Sequence, residues 1–254
     1  MRLSVLAAAT AACLLPAITI AEPNVPARPA NTNPLPAAPG AAVAPALTRA
    51  ERLAALAPGA EASVIDLALK ARDCAIASGD ATGAGQRLAV IDYSKPSTAK
   101  RMWVFDLERD RLLYAEHVAH GQGSGENYAR AFSNREGSHQ TSLGLFRTAE
   151  TYHGGNGYSL RMDGLDPGFN DAARQRAIVM HGAPYVDPAG AQARGRLGRS
   201  HGCPAVRSQV AREIIDTLKG GQFVFSYYPD PAFLRSSRML ACNGGGTGLR
   251  TAAR

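Results

Sequence analysis

Past residue 20 the sequence has no run approaching the roughly 20 consecutive apolar residues needed to cross a bilayer, which excludes stable membrane insertion of the body of the chain. It has only four cysteines, and no Cys-x-x-Cys, His-Glu-x-x-His or His-x-His, so the spacings from which zinc sites are ordinarily built are missing. A zinc hydrolase drawing on His120, His181, His201 and Cys203 is the weaker reading, and no metal or cofactor is expected. The densest basic cluster, 194–199, is interleaved with Gly and Leu and lacks aromatics, which argues against a stacking platform for nucleic acid. There is no internal repeat. The net charge of +7 favours an anionic partner such as a wall polymer, although such an excess is more often a solvated surface.

The chain opens with a basic Met1-Arg2, an apolar stretch over 3–20 and small residues before Glu22, the pattern of a cleaved export signal over 1–21. Cys13 lies inside that stretch, whereas a lipidated cysteine closes one. The mature protein is thus expected to begin near Glu22, in the periplasm or cell envelope. Three cysteines then remain, Cys74, Cys203 and Cys242, an odd number that allows one pair and one free thiol, or three unbonded thiols. Residues 22–48 are almost wholly Pro, Ala, Asn, Gly and Val and read as a linker. A single folded domain is expected over 49–242, with its core at 64–228, followed by a Gly-rich disordered tail at 243–254.

Between residues 61 and 79, Val64, Leu67, Ala68, Ala71, Cys74 and Ala75 recur at helical spacing, with Gly79 placed as a stop. The period then changes to short β-rich runs at 88–93, 102–107, 112–119, 143–148, 158–162, 177–181 and 222–228, the second and third joined by a polar turn at 108–111. A further helix is predicted over 208–219, where Val210, Ala211, Ile214, Ile215 and Leu218 share one face before Gly220-Gly221. The fold class is mostly β with flanking helices, an α+β domain whose short strands and polar turns argue for antiparallel pairing.

Two segments carry chemistry. His181 stands at the exit of the apolar strand Val179-Met180-His181-Gly182, and Cys203 sits in the small-residue turn Ser200-His201-Gly202-Cys203-Pro204 ahead of a helix. A thiol needs a nearby base to ionise, and turn N–H groups both favour the thiolate and hold an oxyanion. Gly202 admits close approach of a substrate carbonyl, and Pro204 suits the first helical position. His181 is the better base, because His201 lies only two residues from the sulfur. His120, Ser124 and Asn127 fall in a Gly-rich polar stretch that suits turn formation or substrate contact equally well.

These stretches resemble the signature of the YkuD-type L,D-transpeptidases, in which a strand histidine precedes a Ser/Thr-His-Gly-Cys loop. Further segments, among them 90–94, 103–107, 117–121 and 169–171, are similar to the murein L,D-transpeptidase catalytic domain branch. The resemblance implies a YkuD-like β-sandwich or barrel with the cysteine loop before a helix. It implies Cys203 as nucleophile, His181 as base, the Gly182 carbonyl as its orienting group, and Ser200, His201 and Gly202 as the oxyanion turn. The implied substrate is a peptidoglycan stem peptide, handled by a monomer without a cofactor. The branch carries an arginine two residues after the cysteine; here that residue is Ala205, which leaves Arg207 as the nearest candidate for a substrate carboxylate, with His120 and Asn127 as further contacts. With Cys203 required free, Cys74 and Cys242 are the partners left for a bridge. A binding module using the same cleft without turnover is the alternative.

Overall fold

The computed structural model describes residues 46–80 and 85–242. The expected export signal, most of the expected linker and the 243–254 tail lie outside the described residues. Two helices come first, α1 (Arg49–Leu56) and α2 (Ala62–Ala77). The strands are β1 (Arg87–Asp92), β2 (Met102–Asp106), β3 (Arg111–Glu116), β4 (Val118–Ala119), β5 (Gly144–Gly154), β6 (Gly157–Gly164), β7 (Val179–Ala183), β8 (Ala205–Arg207) and β9 (Phe223–Tyr227). Helix α3 (Pro188–Arg194) follows β7, α4 (Ser208–Leu218) follows β8, and α5 (Pro231–Ser236) follows β9.

All nine strands form one sheet in the order β3-β2-β1-β9-β5-β6-β7-β8-β4. The fold is mostly β with flanking helices, as expected, and most neighbours are antiparallel; β1 with β9 and β7 with β8 are parallel. The first and last strands of that order, β3 and β4, are consecutive in the chain with only His117 between them. Two peptide steps span at most about 7.6 Å, so the sheet has to curl until its edges meet, giving a nearly closed barrel. The run 112–119, expected as one strand, is therefore broken at His117, where the chain passes from one edge of the sheet to the other.

Side-chain alternation sorts each strand between two cores. Leu88, Val90, Trp103, Phe105, Leu145, Phe223 and Phe225 face outward onto a cluster completed by Leu53, Ile65, Ala68, Ala71 and Ala75 of α1 and α2. Ala89, Ile91, Met102, Val104, Phe146 and Val224 face inward onto Ala211, Ile214, Ile215 and Leu218 of α4. Helix α4 reaches β1 as well as β6, β7 and β8, so it fills the space that the curl encloses. Because both faces are covered, the central strands read as continuous apolar runs instead of alternating ones.

The seam between β3 and β4 is held by charge. Arg101, fully buried, donates Nε and Nη2 to the Val118 carbonyl and Nη1 to that of Lys95. Arg207 of β8 clasps Glu116 of β3 through Nε at 2.9 Å and Nη2 at 2.6 Å. Outside the sheet, Cys74 of α2 is joined to Cys242 with a Cα separation of 5.6 Å.

Cross-linking residues so far apart in sequence removes about 5 kcal/mol of chain entropy from the unfolded state in the loop-closure treatment. Peptide mapping under non-reducing conditions is expected to recover the 74–242 linked pair. A Cys74→Ser, Cys242→Ser protein should unfold at lower urea, by about 2–5 kcal/mol; two free thiols, or unchanged stability, would contradict the bridge.

Candidate active site

Strand β7 carries His181 between two neighbours, with Ser159 of β6 on one side and Ala205 of β8 on the other. Its Nδ1 lies 3.0 Å from the carbonyl of Gly182. A carbonyl only accepts, so Nδ1 holds the hydrogen and Nε2 is left as the basic nitrogen. Gly182 is required at this point by packing: a Cβ there would stand 2.7 Å from the Ala211 methyl of α4.

Cys203 ends a turn built on the seam. The Ser200 amide donates to the His120 carbonyl at 3.0 Å, and the Gln122 amide donates to the Ser200 carbonyl at 2.7 Å. The Ser200 hydroxyl donates to the Cys203 carbonyl at 2.6 Å and accepts from the Gly202 amide at 3.1 Å. Gly202 has φ +120, and a Cβ would meet the Gln140 carbonyl at 2.7 Å, so only glycine fits. The Gly202 amide, expected among the oxyanion donors, is thus occupied by Ser200. The amides of His201 and Cys203 donate to no backbone carbonyl among the described residues. Pro204 does not open a helix. Strand β8 intervenes, pairing with β4 and β7, and α4 begins only after Arg207.

The sulfur is buried. Its contacts are the Val179 amide, which donates to it at 3.4 Å, and the Ala177 carbonyl at 3.7 Å. Burial pushes the thiol above its ordinary value, with the Val179 N–H and the Arg176 charge acting in the opposite direction. Burial also lowers the His181 imidazole, partly offset by the Gly182 carbonyl. The resting pair is therefore a neutral thiol and a neutral imidazole.

Both groups line one cavity of about 180 Å³ with Asn156, Tyr185, Arg199, Ser200 and His201. Asn156 sits at the tip of the β5–β6 hairpin, which thus borders the cleft. The 120–132 stretch does not line this cavity. His120 is fully buried behind the turn, its Nδ1 accepting from Arg101 at 2.7 Å and its Nε2 donating to the Gly125 carbonyl at 3.2 Å. The Ser124 hydroxyl accepts from the Thr141 amide at 2.8 Å. The Asn127 side chain holds the turn at Ser97 and Thr98. Arg207 is committed to Glu116 and faces a separate, larger cavity of about 710 Å³ shared with Lys100, His117 and Ser208. The structure thus brings Cys203, His181, Gly182, Ser200, His201 and Gly202 together and leaves His120, Asn127 and Arg207 outside the cleft.

Several participants had no sequence signal. Thr141 accepts from the Gly121 amide and approaches the Gly202 carbonyl. His139, at φ +53, stacks its ring on His201 at 4.2 Å, and Gln122 donates to its Nδ1. Arg176 backs the turn. Each comes from a different segment, and only the curled sheet makes them neighbours. Arg199 and Arg196, the heart of the basic cluster, are both paired to Glu126. Among the described residues no helix is long and apolar enough to cross a membrane.

Residues 56–227 match the family model described as the L,D-transpeptidase catalytic domain. Similar solved structures include an L,D-transpeptidase from Mycobacterium smegmatis, at 16% identity and TM-score 0.35, covering 56% of this chain and 59% of that one. Another is the helical cell shape determining protein Pgp2 from Campylobacter jejuni, at 13% identity and TM-score 0.35, covering 57% and 48%. A third is an L,D-transpeptidase from Xylanimonas cellulosilytica, at 16% identity and TM-score 0.33, covering 69% and 89%. The chain spans only 59% and 48% of the lengths of the first two. No curated protein matches it in sequence.

His120 supplies a stability test. Burial and the Arg101 charge hold its imidazole down at about 4, against an ordinary 6.5. The folded state therefore takes up this proton later than the unfolded state does. Its stabilising contribution is complete above about 6.5 and is lost as pH falls towards 4, on the order of 3 kcal/mol in all. Urea titrations from pH 7.5 to 4 should show this loss in the native chain and a shallower slope in His120→Gln, whose amide oxygen can still accept from Arg101. Equal slopes would contradict the assignment.

Proposed function

We infer function from one premise: the chain belongs to the L,D-transpeptidase catalytic domain family. On that premise it is an exported cell-wall enzyme, acting as a monomer, that forms a thioester through Cys203 with a peptidoglycan stem peptide. The acyl group then passes to an amine, making a cross-link, or to water, trimming the stem. The observation that carries the reading is the single small cavity onto which the free thiol of Cys203 and the Gly182-oriented imidazole of His181 both open.

The chemistry follows from a neutral pair. As a stem carbonyl approaches, Nε2 of His181 takes the thiol proton and the sulfur attacks, forming the C–S bond. The oxyanion falls to the unoccupied amides of His201 and Cys203. His181 returns the proton to the nitrogen of the terminal D-alanine, the C–N bond breaks, and the amine leaves. An incoming amine or water gives its proton to His181 in the second half and releases the thiol. The Gly182 carbonyl does for the ring what a carboxylate does in other triads: it fixes the tautomer. It brings no negative charge, which accords with an imidazole held below its usual range.

The decisive experiment incubates the protein with disaccharide-tetrapeptide and reads the products by mass spectrometry. A dimer short of one D-alanine reports transfer, and monomeric tripeptide reports hydrolysis. Cys203→Ser should lower either product by more than about a thousand-fold. Substrate left untouched by the native protein would remove the acyl-transfer reading and favour a binding module.

The same assay fixes the pH dependence. Activity requires neutral His181 and a thiol still able to give up its proton. kcat/KM should therefore be bell-shaped, with an acid limb below about 6.5 and a basic limb above about 8.5. An acid limb at or above the ordinary imidazole value would contradict a depressed His181.

A further inference from the structure

Immediately before β7 the chain makes a helical turn, with Arg176 N–H bonded to the Ala172 carbonyl and Ile178 N–H to that of Ala173. It ends at Ala177 with φ +52, a left-handed conformation that is strained for a non-glycine residue. That strained residue turns its carbonyl towards the Cys203 sulfur, and Val179 two residues on donates its amide to the same atom. The sulfur thus meets an acceptor suited to a thiol and a donor suited to a thiolate from one short segment.

The same segment delivers Arg176. Its Nη1 donates to the Ser133 carbonyl at 2.7 Å and the Ser142 hydroxyl at 2.5 Å, and its Nη2 to the Ser138 hydroxyl at 3.2 Å and the Gln140 carbonyl at 2.8 Å. One guanidinium thereby gathers a whole loop, the one that presents His139 to His201. All four partners are neutral, so the hydrogen bonds satisfy the donors without cancelling the charge. Nη2 also comes within 3.4 Å of the position a Cβ would take at Gly202.

The other groups around the sulfur do not supply that charge. His181 on β7 is held neutral, and Tyr185 and Tyr93 have their phenols pushed up by burial. Arg199 on the nucleophile turn is paired with Glu126, and His201 is stacked at the solvent side. The acid felt by Arg176 itself is Glu136, within the loop that it holds.

We propose that Arg176 is a positioning residue for Cys203: it ties the 133–142 loop behind the nucleophile turn and sets a positive charge, hydrogen-bonded only to neutral partners, beside the sulfur. The proposal rests on Cys203 being the nucleophile. Its effect is to offset the burial that would otherwise keep the thiol protonated, so that the sulfur is both shielded and reactive.

The test is alkylation of Cys203 by iodoacetamide in the full chain, from pH 6 to 11, quantified on the tryptic peptide 200–207 so that other thiols do not contribute. Arg176→Gln should raise the midpoint by about one pH unit and slow alkylation at pH 7.5 about ten-fold, with the limiting rate at high pH unchanged. Arg176→Lys, which keeps the charge, should stay within about 0.3 unit of the native midpoint while melting earlier. A native midpoint in Arg176→Gln, or an equal rise in Arg176→Lys, overturns the proposal. If Arg176→Gln loses its cooperative melt, the lysine variant decides alone. Alkylation needs no substrate: shifted midpoints with tetrapeptide untouched would keep this proposal and remove the acyl-transfer reading, and turnover with unshifted midpoints would do the reverse.

Discussion

The guanidinium of Arg101 lies where the two ends of the sheet meet, and the position of Cys203 follows from it. A buried cation is tolerated only when its donors are met. Here they are met by the Lys95 and Val118 carbonyls and the His120 ring, with the Tyr93 face 5.1 Å away. None of these partners is anionic, and burial brings the group down to about 10, still charged at neutral pH. The segment it grips, from Val118 to His120, is the one whose carbonyl receives the Ser200 amide. Closing the barrel and hanging the cysteine turn are consequently one event: the strand that completes the sheet also sets the height of Cys203 against His181.

Around the sulfur, opposing influences meet and burial prevails. Burial favours the thiol, and a backbone amide and a nearby cation favour the thiolate. His181 is tuned the same way, since burial depresses it and a carbonyl partly restores it. Two neutral groups whose affinities for the proton are moved apart remain neutral at rest. The resting site thus holds its thiol protonated.

Much of the fold was legible because the sheet is buried on both faces. Leu88, Val90, Trp103 and Phe105 alternate with Ala89, Ile91, Met102 and Val104, all apolar, so β1, β2 and β9 stand out as solid runs. Helix α4 was legible from its one-sided face. The short helices were overlooked although each carries a start signal: a capping box from Thr48 to Glu51, and Asp-Pro at the heads of α3 and α5. Strand β8 is three residues long and lies against the motif itself, which is why Pro204 read as a helix opening. In the site, the His181 and Cys203 segments were visible because local backbone shape builds them. Arg176, Thr141 and His139 were not, because they approach the turn only through the tertiary curl. Arg207 misled for the same reason, its partner Glu116 lying across a seam that no local pattern displays.

The bridge between Cys74 and Cys242 has a consequence for biogenesis. Cys74, Cys203 and Cys242 can pair in three ways, and in the unfolded chain Cys203 lies nearer to Cys242 than Cys74 does, so loop closure alone favours the pairing that consumes Cys203. The native partner of Cys242 stands on a helix made long before it, against a sheet that cannot close until β9 is in place. Once the barrel has formed, Cys203 is sealed within its turn. Correct oxidation is thus a readout of completed folding, and an oxidant that acted earlier would favour a cross-link in which Cys203 is no longer free.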